Sequence, residues 1–215
     1  MDSKLMKHMD LLLERNPSLI ACKDDIIRAY DMLETSYSNN RKLLVCGNGG
    51  SASDSEHIVG ELMKEFKLKR KVYADQAEAM KAIDPDMGTT LAENLQGALP
   101  AICLTGHSSL TTAFMNDANA DLVFAQQVNG YGKANDVFLG ISTSGNSKNV
   151  CYAAITAKSK GLKVIGLTGQ KESKLSKLAD CCIRVPDTET YKIQELHLPV
   201  YHCLCLMLED HFFGK

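Results

Sequence analysis

No apolar run approaches the ~18 residues that a membrane-spanning helix requires, so a transmembrane reading is excluded. The segment Met1 to Ile20 is charged throughout, which excludes a signal peptide and leads us to expect a cytoplasmic chain. No Cys-x-x-Cys pair occurs among the eight cysteines. Cys46, Cys103, Cys181 and Cys182 lie in or beside apolar β-like runs, and Cys151, Cys203 and Cys205 lie in helical patterns. Buried reduced thiols are therefore expected, not a disulfide framework or a thiolate metal site. Charge of neither sign dominates: 24 Lys and Arg face 26 Asp and Glu, for a net −2. That balance argues against a nucleic-acid partner. The one basic run, Lys67-Leu68-Lys69-Arg70-Lys71, reads as a solvated helix end or loop. There is no internal repeat.

What remains is an ordinary globular balance, 45% hydrophobic and 23% charged over 215 residues. It fits one α/β domain with appendages. Residues 2–38 read as helical with a break at Pro17, which suits a helix start. These helices precede the first strand, so they either cover the sheet or supply a subunit interface. Strands are predicted at 42–46, 101–105, 136–141, 163–168 and 181–185. Helical patterns follow the first strand at about 52–66 and alternate with the others at 110–115, 121–128, 149–160 and 174–179. The alternation implies a parallel sheet with helices on both faces. A long apolar helix is predicted over 191–213, with a kink or break near Pro199. Residues 67–100 read as an inserted helical excursion with a turn cluster at Asp84-Pro85-Asp86-Met87-Gly88.

Two strand-to-helix turns stand out. Ser142-Thr143-Ser144-Gly145-Asn146-Ser147 follows the apolar run Asp136–Ile141. A helix N-terminus offers unpaired N–H groups and the positive end of the helix dipole, which suits a phosphate. Four hydroxyls would add donors, and Gly145 would let the backbone approach the anion. An ordinary N-cap is the competing reading, but one serine would suffice for a cap. Gly47-Asn48-Gly49-Gly50-Ser51 follows the first strand. It lacks the P-loop lysine and the dinucleotide-binding glycine spacing. In a parallel sheet both turns fall at the carboxyl ends of strands, where ligands bind.

His57 and Glu61, four apart, share one face of the helix after the glycine turn. Gln194 and His202, eight apart, can border one face of the final helix. Two imidazoles, a carboxylate and an amide oxygen suit Zn²⁺. Spacing alone does not bring the two helices together, and a lone His or Glu on a helix is commonly a surface or core residue.

Together, Gly47–Ser51, Glu56–Glu61, Ile141–Ser147 and Ile193–His197 through His202 resemble the phosphoheptose isomerases, enzymes of the SIS (sugar isomerase) domain. The resemblance covers about 42–66 and 101–213. It implies a single SIS domain over 1–215: a doubly wound, five-stranded parallel sheet flanked by helices, with an N-terminal helical extension over 1–38. It implies zinc, one per subunit, on His57, Glu61, Gln194 and His202, and an acid/base pair of Glu61 and His202. It implies sugar-phosphate contacts from Asn48, Gly49, Gly50, Ser51, Asn116, Asp117, Ser142, Thr143, Ser144, Ser147 and Gln194. The implied reaction interconverts sedoheptulose 7-phosphate and D-glycero-D-manno-heptose 7-phosphate, in a homotetramer with sites at subunit interfaces.

The chemistry agrees. Moving a proton between adjacent carbons through an enediol needs a base at carbon, an acid at oxygen and stabilisation of the developing negative charge. Two departures from the family bear on substrate identity. Residues 67–100 are extra, and Glu65 stands where the family tends to carry a basic residue. The alternatives are a non-catalytic phosphosugar-binding regulator or replication-initiation-associating factor of the same fold, or an isomerase of another sugar phosphate. The apolar final helix predicts a homo-oligomer in which assembly would complete each site by joining its two helices.

Overall fold

A computed structural model describes residues 3–214 of the chain; Asp2, the start of the predicted N-terminal helical segment, lies outside them. The chain opens with helix α1 (Ser3–Arg15), a 3₁₀ turn (Pro17–Cys22) and helix α2 (Lys23–Ser38). Strand β1 (Leu43–Cys46) leads through the glycine turn into α3 (Gly50–Met63). The extra segment folds as α4 (Ala74–Ile83) and α5 (Pro85–Asn94). Then come β2 (Ala101–Cys103), α6 (Ser108–Asp117), a 3₁₀ turn (Ala120–Leu122) and α7 (Val123–Tyr131). The chain continues through β3 (Val137–Ile141), α8 (Lys148–Ser159), β4 (Lys163–Thr168), α9 (Lys174–Leu178) and β5 (Cys181–Arg184). It closes with α10 (Thr190–Phe213).

The five strands are all parallel, in the order β2-β1-β3-β4-β5. Alternate residues face opposite layers. Leu43, Val45, Leu139, Ile165, Leu167 and Ile183 point to a layer built from α1, α2 and α10. Leu44, Phe138 and Val164 point to one built from α7, α8 and α9. The N-terminal helices thus cover the sheet: α1 packs on α10, and α2 on β5 and α10. All eight cysteines are free, and burial pushes the Cys22 and Cys181 thiols up to about 11, so they stay protonated.

Three expectations change. Helix α10 runs without a break through Pro199. The carbonyl that loses its partner there belongs to Glu195, an exposed position where water can replace the lost bond, while Val200, Tyr201 and Leu204 on the other side are buried. Asp84-Pro85 is a helix start as well as a turn: the Asp84 carboxylate accepts from Asp86 and Met87 N–H groups, and Pro85 takes the first helical position. Finally, the basic run is not wholly solvated, because Arg70 is buried.

Candidate active site

Both turns occupy the carboxyl end of the sheet. Gly145 adopts φ +63° and Gly49 φ +57°, left-handed conformations that favour glycine. The two turns are joined. Asn48 and Asn149 exchange a reciprocal pair of amide hydrogen bonds of 3.0 and 2.9 Å, which lock the glycine turn to the first turn of α8. Ser147 occupies the N-cap position of α8, yet its side chain makes no capping bond. Its hydroxyl lies 3.0 Å from the Ser142 hydroxyl instead. The Ser144 hydroxyl accepts from the Asn146 N–H at 3.2 Å, and the Thr143 carbonyl accepts from the Gly169 N–H. The serine turn is therefore not an ordinary side-chain cap.

The residues expected to form the acid/base pair meet within one chain, because α3 and α10 pack against each other. His57 Nε2 lies 3.2 Å from Glu61 Oε1 and 3.5 Å from His202 Nε2. The Glu61 side chain is 12% exposed and that of His57 41%, so the set is open to a ligand. Burial, and then the neighbouring His57, pushes the His202 imidazole below its ordinary pKa. Joining His57 and Glu61 to His202 thus needs no partner subunit.

Tyr201, which the sequence reading passed over, orients the set. Its hydroxyl donates to Asp54 at 3.1 Å and lies 3.1 Å from His57 Nδ1. A tyrosine hydroxyl has one proton. With that proton on the Asp54 bond, its oxygen accepts from His57 Nδ1–H, which turns the Nε2 lone pair toward Glu61 and His202. A buried tyrosine beside a histidine, with acids three before and four after the other histidine, is the signal that was there to be read.

The remaining predicted residues lie elsewhere. Gln194 packs on the start of α3, where a Cβ on Gly50 would come within 2.5 Å of its Nε2. That places its amide at the glycine turn, about 10 Å of helix rise from His57. Asn116 donates to Asp117 at 2.9 Å at the exposed end of α6, and no hydrogen bond among the described residues joins either to the two turns. Ser51 is buried in the first turn of α3.

Comparison with known proteins agrees with this arrangement. Residues 76–169 match the SIS domain family. A phosphoheptose isomerase of Helicobacter pylori (strain Shi470) is 37% identical over 92% of this chain and 90% of its own length. One from Aneurinibacillus thermoaerophilus is 32% identical over 99% of this chain and 96% of its own.

The chain belongs to the phosphoheptose isomerase family.

It is a sugar-phosphate isomerase. A solved phosphoheptose isomerase from Francisella tularensis superimposes with a TM-score of 0.75 at 29% identity, over 98% of this chain and all of that one. The match to the SIS domain spans β2 to β4 and the serine turn, and omits His57, Glu61 and His202. The alignments to whole isomerases extend beyond that segment.

The donor set bears on the zinc that the family resemblance implies. Among the described residues, no group of three or more His, Cys, Asp or Glu is arranged so as to hold a metal ion. The chemistry of the set nevertheless suits one. Ligands at ~2.0–2.1 Å from a tetrahedral Zn²⁺ lie about 3.3 Å apart, close to the 3.2 and 3.5 Å that separate His57 from Glu61 and His202.

Proposed function

We propose that this protein interconverts sedoheptulose 7-phosphate and D-glycero-D-manno-heptose 7-phosphate through an enediol. The observation that carries this reading is the approach of His202 of α10 to His57 and Glu61, which lie on the helix that begins at the glycine turn. The joined turns hold the phosphate with the N–H groups of Gly49 and Gly50 and the hydroxyls of Ser142, Thr143, Ser144 and Ser147, while the Ser51 N–H donates to the Asn48 carbonyl and shapes the turn. Asn48 steadies that cradle, Gln194 borders it, and Asn116 and Asp117 reach the sugar from α6. Binding energy from the phosphate fixes the reacting carbons without contacting them.

Glu61 removes the proton from C1 of the ketose, and His202 protonates the C2 carbonyl oxygen, giving the enediol. Glu61 then returns the proton to C2, and His202, having given its proton to O2, takes the one from O1 to yield the aldehyde. Zn²⁺ would be held by His57, Glu61 and His202 and would supply Lewis-acid polarisation of the substrate oxygens when bound; Gln194, expected as a fourth donor, lies instead at the glycine turn beside Gly50. A His202 nitrogen that holds a metal has no proton to give, so the ligand and acid roles of Nε2 are alternatives.

The working form is a homotetramer. His202 opens onto a groove of ≈ 530 Å³ in which Leu12, Phe66, Leu198 and Leu206 are interspersed with Arg15, Lys67 and Glu195, a mixed apolar and charged surface that a second copy would cover. Glu61 lies about 16 Å of helix rise beyond Gly50, so a neighbouring subunit would bring a phosphate cradle closer to each acid/base set. A turnover assay across pentose, hexose and heptose ketose phosphates, with zinc added or chelated, tests the reading. Preferred turnover of the heptose supports it. Turnover of another sugar phosphate alone overturns the substrate, and binding without turnover overturns the reaction.

A further inference from the structure

We infer that the buried Arg70–Glu209 pair is a positioning device that sets Glu61 and His202 relative to one another. The inference rests on the reading of those two residues as the acid/base pair. Arg70 and Glu209 side chains are 0% and 1% exposed, and Arg70 Nε donates to Glu209 Oε1 at 2.8 Å. A salt bridge this deep stabilises little by itself, because desolvation offsets most of the attraction. What it specifies is geometry.

Arg70 reaches toward Glu61. Its Nη2 donates to the Glu61 carbonyl at 2.9 Å and its Nη1 to the Leu62 carbonyl at 2.8 Å. These carbonyls belong to the last turn of α3, where a helix leaves acceptors without intrahelical partners and the dipole is negative. Arg70 thus caps the helix at the residue that carries the proposed base, and the Phe213 ring lies 4.8 Å from its guanidinium.

Glu209 reaches toward His202. It stands seven residues on in α10, two turns along the same face. Its carboxylate also accepts from the backbone N–H groups of Phe66 (2.9 Å), Lys67 (2.9 Å) and Leu68 (3.2 Å). The Phe66 ring, held by that bond, packs on the His202 ring with centroids 5.3 Å apart. One ion pair therefore ties the end of α3, the chain that leaves it and α10 into a single block.

The helical insertion hangs from the same point. The Gly97 N–H donates to the Arg70 carbonyl at 3.0 Å, Lys71 pairs with Gln96, and the Gln96 amide oxygen accepts from the Glu65 N–H. The clamp's Arg70 belongs to the same 67–100 segment, and α4 and α5 pack on each other beyond it.

The test uses the full-length protein. Arg70→Lys keeps the charge but cannot donate to both carbonyls and the carboxylate in one plane. The double variant Arg70→Met/Glu209→Met removes both charges at once and leaves neither unpaired. For each we expect kcat to fall at least tenfold with KM changed less than twofold, since the phosphate turns lie at the other end of α3. The ¹⁵N ring signals of His57 and His202 should shift, while those of His107 on α6's side of the molecule stay in place. Unchanged kcat and unchanged His57 and His202 signals in a folded variant would overturn the positioning role. The imidazole signals decide the matter independently of turnover, and wild-type turnover alone decides the functional reading.

Discussion

Asn48 and Asn149 stand 101 residues apart in the chain and hold each other by two amide hydrogen bonds. Their pairing makes one cradle of two turns. Asn149→Ala removes both bonds and lets the glycine turn drift from α8. Two exposed hydrogen bonds contribute ~1–2 kcal/mol, so KM for the sugar phosphate should rise about tenfold with kcat nearly unchanged. Steady-state kinetics checks this, and an unchanged KM would show that the two turns bind separately.

The Ser142–Ser147 hydroxyl pair is the second part of that cradle. Ser147→Ala takes no capping bond from α8, so thermal stability should hold within about 0.5 kcal/mol, as for a surface change. Affinity for inorganic phosphate should fall severalfold. Calorimetric unfolding and phosphate titration measure the two effects separately. A stability loss with intact phosphate binding would return the serine turn to a structural role.

Tyr201→Phe removes the hydroxyl that orients His57 and leaves Asp54 without its donor. The ring packing survives, so the fold should persist with a loss of ~1–3 kcal/mol for the unsatisfied carboxylate. Zinc affinity should fall about 10–100-fold, as for other partners of metal-binding histidines. Competition with a chromogenic chelator reads this directly, and unchanged affinity would detach Tyr201 from the set.

His197 gives a pH signature. Its ring is fully buried beside the Thr168 backbone, and burial outweighs that contact and pushes its pKa down to about 4. An unfolded imidazole titrates near ~6.5. Between these values the unfolded chain takes a proton that the folded chain refuses, so stability rises with pH across the window. His197 costs nothing above pH ~6.5 and destabilises the fold progressively toward pH ~4, by about 3 kcal/mol at the limit. Urea unfolding of wild type and His197→Leu across that window should show a shallower pH slope in the variant. Equal slopes would contradict the burial of a neutral ring.

Much of this molecule can be read from local pattern. The five parallel strands, the covering helices and both turns follow from apolar periodicity and from glycine and serine placement. His57 and Glu61 follow from helical spacing. What was not legible depends on which helices meet. The Asp54–Tyr201–His57 chain exists only because α3 packs on α10, and the Arg70–Glu209 pair joins residues 139 apart. A basic run looks solvated until a distant carboxylate enters it. Pro199 looks like a breaker until its lost bond falls on the exposed side of a well-packed helix. Gln194 shares a helix with His202, but distance along that helix separates them where spacing alone suggested a shared ligand set.

The central claim is that Glu61 carries the proton between the sugar carbons. Its most direct test is turnover of sedoheptulose 7-phosphate by Glu61→Gln, with circular dichroism and phosphate binding confirming an intact fold and cradle. Loss of the base should lower kcat by ~10²–10⁴ while phosphate binding stays at the wild-type level. A folded Glu61→Gln variant with near-normal turnover would contradict the account.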